Sequence, residues 1–357
     1  MTEPAQRRRR RGTAEEGADP VPGEEVLTVR DLRVAFGKGP GRKQALRGVD
    51  LSLHAGKVSG VAGESGSGKT TSALAAMGLL PAGASVEGSV RYRGTELLSL
   101  PERELRRYRG RHLAMVFQET STALNPVIRV GTQLLMAART HAGGSRQEAL
   151  RRVTEALADV QLTDTDRVMS SYPHELSGGM CQRIIIAMAL SCGSRVLFAD
   201  EPTTALDVSV QAEVLSVIKG LVARRHLAVL MISHDLAVLA EVCDDLAVMY
   251  DGEIVESGAV DDVLRHPAHP YTAGLLECLP RLRGPRVELP ELASTVRDAD
   301  HGTGCRFRPR CPWSIERCEQ APELAALDLG SSRQARCWRS AEVLASSGAA
   351  AGSRGQR

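Results

Sequence analysis

The sequence predicts an α/β protein built on a parallel sheet with helices on both faces, carrying a helical subdomain and ending in a small cysteine-rich module. Three observations carry this expectation. Apolar runs at Lys57–Ala62, Arg195–Ala199 and Leu227–Ile232 have the length and flanks of buried strands. Between the last two, residues 209–224 put Val210, Val214, Val217, Ile218 and Leu221 on one face of a 3.6-residue period. A glycine-rich turn separates the first run from a helix expected over Lys69–Leu80. Strands alternating with helices are the signature of parallel sheets.

Each element follows in order. Residues 1–24, with five consecutive arginines at Arg7–Arg11, lack apolar periodicity and read as a disordered tail. Order is expected near Val26, where VLTVRDLRVAF alternates as a half-buried strand. One large unit is expected over 25–280, with helical patterns from about 100 to 190. Residues 281–304 read as a linker, 305–340 as the cysteine-bearing module and 341–357 as a second disordered tail.

With 357 residues, 43% hydrophobic and 25% charged, the chain can bury a sizeable core without disulfides. A net charge of +2 is no argument for nucleic acid. No apolar run reaches the roughly 18 residues of a membrane span, and Ile184–Ala199 is broken by Ser191, Gly193, Ser194 and Arg195. The N-terminus has no secretory pattern. A cytosolic protein is expected, its eight cysteines being thiols or metal ligands.

GESGSGKT at Gly63–Thr70 fits the phosphate-loop pattern between an expected strand and an expected helix. Its glycines let backbone N–H groups turn toward phosphate oxygens, aided by the helix dipole. Gly63, Glu64, Ser65, Gly66, Ser67, Gly68, Lys69, Thr70 and the following Thr71 are the expected ATP contacts. Lys69 is to reach the β- and γ-phosphates and Thr70 to ligate Mg²⁺. VLFADE at Val196–Glu201 supplies a strand ending in two carboxylates. Asp200 is to hold Mg²⁺ and Glu201 to polarise the attacking water. Paired acids are common at strand exits; beside a phosphate loop they indicate a nucleoside triphosphatase.

LSGGMCQR at Leu176–Arg183, ahead of Val196–Asp200, resembles the signature of the ABC ATPases. Other family elements follow in order. Gln118 in MVFQ resembles the Q-loop glutamine, Ala205-Leu206-Asp207 the D-loop, His234 in ISHD the switch histidine, and Phe36 the aromatic that stacks on adenine. The resemblance implies that Glu201, His234 and Gln118 serve catalysis, with Gln118 joining Thr70 and Asp200 at Mg²⁺. It implies head-to-tail pairing, so that Ser177, Gly178 and Gly179 meet the γ-phosphate bound by a partner, with Asp207 at the D-loop. Finer matches at Ala123–Pro126, Asp200–Gln211 and His269–Thr272 resemble the oligopeptide/dipeptide importers, a group that includes nickel transporters. The partners so implied are two membrane permease subunits, a second ATPase subunit and an external solute-binding protein, with the chain on the cytoplasmic face of the membrane. Cys181 stands where that group carries arginine, and Glu119-Thr120 where Asp-Pro is usual. Neither departure touches a phosphate contact, so hydrolysis is expected to be retained.

Cys305, Cys311, Cys318 and Cys337 are spaced C-x5-C-x6-C-x18-C, unlike zinc ribbons or the common ferredoxin runs. Interleaved Arg306, Arg308, Arg310, Arg317 and Arg336 are expected to offset thiolate charge. The resemblance implies a [4Fe-4S] cluster on the four cysteines; Zn²⁺ is the alternative, followed by unliganded thiols. Cys181, Cys192, Cys243 and Cys278 read as small buried hydrophobes. Two other classes, a soluble ABC ATPase acting on ribosomes or DNA and a non-hydrolysing regulatory subunit, are disfavoured. The chain has one nucleotide site and no coiled-coil insertion, and it retains Glu201.

Overall fold

The computed structural model describes residues 19–117, 123–204, 206–278, 304–327 and 332–352. The expectations for Gln118, Glu119, Thr120 and Ala205, for residues 1–18 and for the linker up to residue 303 lie outside the described residues.

Two sheets build the core. The first, in the order β2-β1-β4-β5, is antiparallel: β1 (Glu25–Phe36), β2 (Lys43–His54), β4 (Ser85–Tyr92) and β5 (Thr95–Glu96). The second runs β11-β12-β10-β9-β3-β8-β7-β6. Its centre is parallel and consists of β6 (Leu113–Val116), β7 (Val196–Asp200), β8 (Ala228–Ile232), β3 (Val58–Ala62) and β9 (Asp245–Tyr250). β10 (Glu253–Ala259) returns antiparallel to β9, and the short β12 (Gln334–Ala335) and β11 (Ala325–Ala326) extend the edge.

The sheet is therefore mixed, and the expectation of a parallel sheet holds for its centre alone. Alternation along the strands divides the core. In β7, Leu197 and Ala199 face one cluster with Ile184, Val214 and Leu221 of the helices Gly178–Ser191 and Val208–Arg225. Val196 and Phe198 face another with Leu27, Leu46 and Val90 of the antiparallel sheet and Ala73 and Ala76 of the helix Lys69–Ala76. That face is thus covered by one helix and a second sheet, where helices alone were expected.

The helical subdomain contains the helices Val130–Ala142, Arg146–Asp159, Thr165–Ser170 and Gly178–Ser191. β6 lies inside the expected helical range yet pairs with β7 in the main sheet. The helix after the glycine turn stops at Ala76, short of Leu80, because Gly78 adopts a left-handed φ of 62°. Of the expected tails, residues 19–24 and 341–352 are described. Before β1, Gly23 donates to the Ala55 carbonyl at 2.8 Å and Asp19 pairs with Arg195. A helix spans Ser340–Gly352, consistent with its alanine content.

The cysteine-bearing segment joins the main sheet. Ala335 pairs with Glu256 in the β12–β10 register, and Arg333 forms a buried ion pair with Glu256 at 2.6 Å.

Candidate functional site

The glycine-rich loop leaves β3 at Ala62 and enters the helix at Lys69. Its course needs glycine at two points. At Gly63, φ is 150° and a Cβ would lie 2.2 Å from the Met249 carbonyl oxygen. At Gly68, φ is 110° and a Cβ would lie 2.7 Å from the Leu46 side chain. The resulting cleft is lined by Ser65, Gly66, Gly68, Lys69, Thr70, Thr71 and Glu201. Lys69 is buried, and its Nζ donates to the carbonyls of Gly63 at 2.7 Å and Glu64 at 2.9 Å. Burial lowers its pKa against the raising influence of Glu201, Asp200 and Glu64.

β7 delivers the carboxylates. Thr70 Oγ1 donates to Asp200 Oδ1 at 3.1 Å, so the two oxygen donors expected at Mg²⁺ are adjacent. Burial raises the Asp200 pKa, and the Glu201 charge adds to this against the Thr70 hydrogen bond and Lys69. A hydroxyl and a carboxylate are the hard oxygen ligands that Mg²⁺ takes, so these residues fit the ion.

Glu201 sits at φ 48°, a left-handed conformation costing about 1–3 kcal/mol for a residue with a side chain. Its backbone N–H donates to Ile232, the last residue of β8, at 2.9 Å. Its side chain meets His234 Nδ1 at 2.9 Å through Oε1 and accepts from Thr204 Oγ1 at 2.9 Å through Oε2. Burial acts to raise the Glu201 pKa. The His234 and Thr204 hydrogen bonds, with the His234 and Lys69 charges, outweigh it and hold the group below the usual carboxylate range. Ionised Glu201 can only accept, so the proton of this contact is assigned to Nδ1.

The structure thus brings together the loop, Asp200, Glu201 and His234. Ser177, Gly178 and Gly179 have contacts of their own. Ser177 caps the helix Gly178–Ser191 by accepting from Met180 at 3.3 Å. A Cβ on Gly179 would lie 2.2 Å from Val210. Asp207 caps the helix Val208–Arg225 through Val210 at 2.9 Å, and this bond with that of Ser209 lowers its pKa. Phe36 ends β1 half-buried against the antiparallel-sheet core. The Cys181 thiol lies 3.5 Å from the Pro173 carbonyl.

Two contacts were missed. Tyr271, fully buried, accepts the Glu64 N–H at 2.9 Å through its phenol oxygen. Arg310 grips the Glu64 carboxylate at 2.8 and 3.0 Å. The match at His269–Thr272 gives its tyrosine no role, and nothing local marks either residue as a partner of the loop.

The interleaved arginines have partners other than thiolates. Arg308 pairs with Glu319 at 2.8 Å, Arg306 lies 3.9 Å from Asp251, and Arg317 lies 3.9 Å above the Trp338 ring. Arg336 donates to the Ile254 and Pro322 carbonyls. All eight cysteines are free. Burial, with neighbouring thiols adding, pushes Cys311 up to about 11 and Cys337 up to about 12. Among the described residues no group of three or more His, Cys, Asp or Glu side chains is placed to hold a metal ion. The four thiols for which a [4Fe-4S] cluster, or Zn²⁺, is expected, Cys305, Cys311, Cys318 and Cys337, lie near enough to act on one another electrostatically.

Residues 46–204 match the family model of the ABC transporters, and residues 255–318 that of the oligopeptide/dipeptide transporter C-terminal region. The chain is 44% identical over 318 residues to the probable D,D-dipeptide transport ATP-binding protein DdpD of Escherichia coli, covering 88% of this chain and 97% of the relative. It is 42% identical over 326 residues to the oligopeptide transport ATP-binding protein OppD of Salmonella typhimurium, covering 91% and 97%. A solved ATP-binding cassette, dimeric in a post-hydrolysis state with ADP and Pi, superposes with a TM-score of 0.56 at 25% identity. That match covers 66% of this chain and 98% of the cassette.

Proposed function

The chain belongs to the ABC transporter family as the ATP-binding subunit of an oligopeptide/dipeptide importer, and from that premise we propose how its residues work and with what partners. It is an ABC-type ATPase, converting ATP and water to ADP and phosphate to energise uptake.

One observation carries the reading of the site. Thr70 bonds Asp200 at 3.1 Å, and Glu201, the next residue, bonds His234 at 2.9 Å. Loop, ion ligands, base and switch form one chain of contacts. Backbone N–H groups of Gly66–Thr71 and the Lys69 ammonium bind the phosphate oxygens. Thr70 and Asp200, with Gln118, would hold Mg²⁺, which when bound would supply positive charge against that developing on the phosphates. Glu201, ionised, takes the proton of the attacking water, and His234 holds its carboxylate in position. Phe36 stacks on the base.

Ser177, Gly178 and Gly179 meet the γ-phosphate bound by a second ATPase subunit, with Asp207 at the seam. The dimeric post-hydrolysis cassette supports this sandwich. ATP that touches both subunits only when they are closed favours closure by that difference in affinity, and its hydrolysis reverses it. Two permease subunits and an external solute-binding protein complete the importer at the cytoplasmic face of the membrane. Among the described residues no helix is long and apolar enough to cross a membrane. Retained hydrolysis despite Cys181 and Glu119-Thr120 belongs to the same reading. Peptide is the proposed solute and nickel the alternative. A [4Fe-4S] cluster or Zn²⁺ at the four cysteines is supported by the resemblance alone, and metal analysis of protein purified without air tests it.

Reconstitution with permeases and partner ATPase in vesicles tests the function. ATP-driven uptake of labelled peptide is expected from wild type and its loss from Lys69→Ala; undiminished uptake by Lys69→Ala overturns the reading.

A further inference from the structure

The loop residue Glu64 is an awkward neighbour for a triphosphate. Its carboxylate lies in the loop that must accept phosphate anions, and its charge is felt by Lys69. Lys69 Nζ already touches the Glu64 carbonyl at 2.9 Å. A carboxylate turned toward that ammonium would compete with the γ-phosphate for it.

Arg310 takes that carboxylate away. Its two guanidinium Nη atoms meet Glu64 Oε1 at 2.8 Å and Oε2 at 3.0 Å, a bidentate pair whose arginine side chain is 12% exposed. The guanidinium is itself held. It lies 5.6 Å above the Tyr250 ring, 5.9 Å from that of Phe307, and Nη1 is 3.4 Å from the Tyr250 hydroxyl. Phe307, 1% exposed, packs edge-on against Tyr250 and Tyr271 at 5.2 and 5.4 Å between ring centres, anchoring the segment that carries Arg310. Tyr271, from the same aromatic group, fixes the Glu64 N–H.

We propose that Arg310 is a positioning residue for nucleotide binding: by capturing the Glu64 carboxylate it keeps Lys69 available to the phosphates. The proposal rests on Gly63–Thr70 being the phosphate site. A site assembled within residues 63–71 thereby depends on a side chain 246 positions away in sequence, in the cysteine-bearing segment. Removal of Arg310 frees Glu64 to swing inward, a defect that disappears when the carboxylate does.

The test uses the full chain, with a fluorescent ATP analogue and Mg²⁺ for binding, and ATPase kinetics in the complex with its membrane subunits. Arg310→Ala is expected to raise Kd and KM by about tenfold with kcat little changed, and Arg310→Lys to lie between it and wild type. Arg310→Ala with Glu64→Gln is expected to return Kd to near the wild-type value. A weakened Arg310→Ala that Glu64→Gln fails to restore overturns the proposal, because a merely structural arginine would behave so. Unchanged Kd and KM in Arg310→Ala, while Lys69→Ala loses binding, also overturns it and leaves the phosphate site standing. Wild-type binding by Lys69→Ala overturns the site assignment itself. Should Arg310→Ala not fold, Arg310→Lys against Arg310→Lys with Glu64→Gln gives the same reading.

Discussion

His234 Nδ1 lies 2.9 Å from Glu201 Oε1, while Thr204 Oγ1 occupies Oε2 at the same distance. The carboxylate is therefore held through both oxygens, on a residue whose backbone is itself constrained. Glu201→Gln keeps the shape and removes the base. Phosphate release in the assembled transporter is expected to fall by about 10²–10⁴ with ATP still bound. His234→Ala should cost about 10² through the freed carboxylate, read as phosphate release in the same transporter.

The Thr70–Asp200 contact supplies the ion with two protein oxygens. Asp200→Asn removes the charge and keeps a hydrogen-bonding shape, and hydrolysis should drop by about a hundredfold or more. Chelation by EDTA should abolish turnover of the wild-type protein, with recovery on adding Mg²⁺, read as phosphate release.

Arg333 and Glu256 form an ion pair at 2.6 Å with side chains 3% and 0% exposed. Glu256 also accepts from the Ala268 and His269 backbone at 2.9 and 3.0 Å. Burial raises the carboxyl pKa, and Arg333, the Ala268 N–H and Thr272 work against it. Arg333→Met leaves a buried carboxylate without its cation and should destabilise the fold by about 3–5 kcal/mol. Glu256→Gln in the same chain should recover part of that, as denaturant midpoints will read.

His269 is buried, accepts the Tyr271 N–H at 3.0 Å through Nδ1, and has its pKa pushed down to about 3 by burial, with Arg336 adding. The unfolded chain protonates it near pH 6.5 while the native state stays neutral, so the unfolded state binds more protons between these values. Stability is fully present above pH 6.5 and falls as pH drops toward 3, by about 1.4 kcal/mol per unit. Urea midpoints at pH 7 and pH 5 should show this loss, and His269→Asn, which can still cap the helix, should flatten it.

Much of this site is legible in the sequence because its chemistry is local. Lys69 and Thr70 follow the glycines directly, Asp200 and Glu201 end one strand, and His234 follows the next. Adjacent parallel strands then bring those ends together. Tyr271 and Arg310 are not legible, because their contacts to Glu64 span 207 and 246 residues and only the folded sheet brings them near. The second sheet is half legible: β1 alternates clearly, while β2 and β4 reveal themselves only through their pairing with it. The arginines of the cysteine-bearing segment mislead for a related reason. Their sequence neighbours are thiols, but their spatial partners are carboxylates, carbonyls and rings.

β12 covers the outer side of β10. A polypeptide stopped at residue 303 would keep all the catalytic groups and still present a raw rim, with bare amides and carbonyls along Glu256–Ser257 inviting a foreign strand to zip on. The loss would first be seen in the centrifuge tube, as pelleted protein, before any assay of turnover could begin.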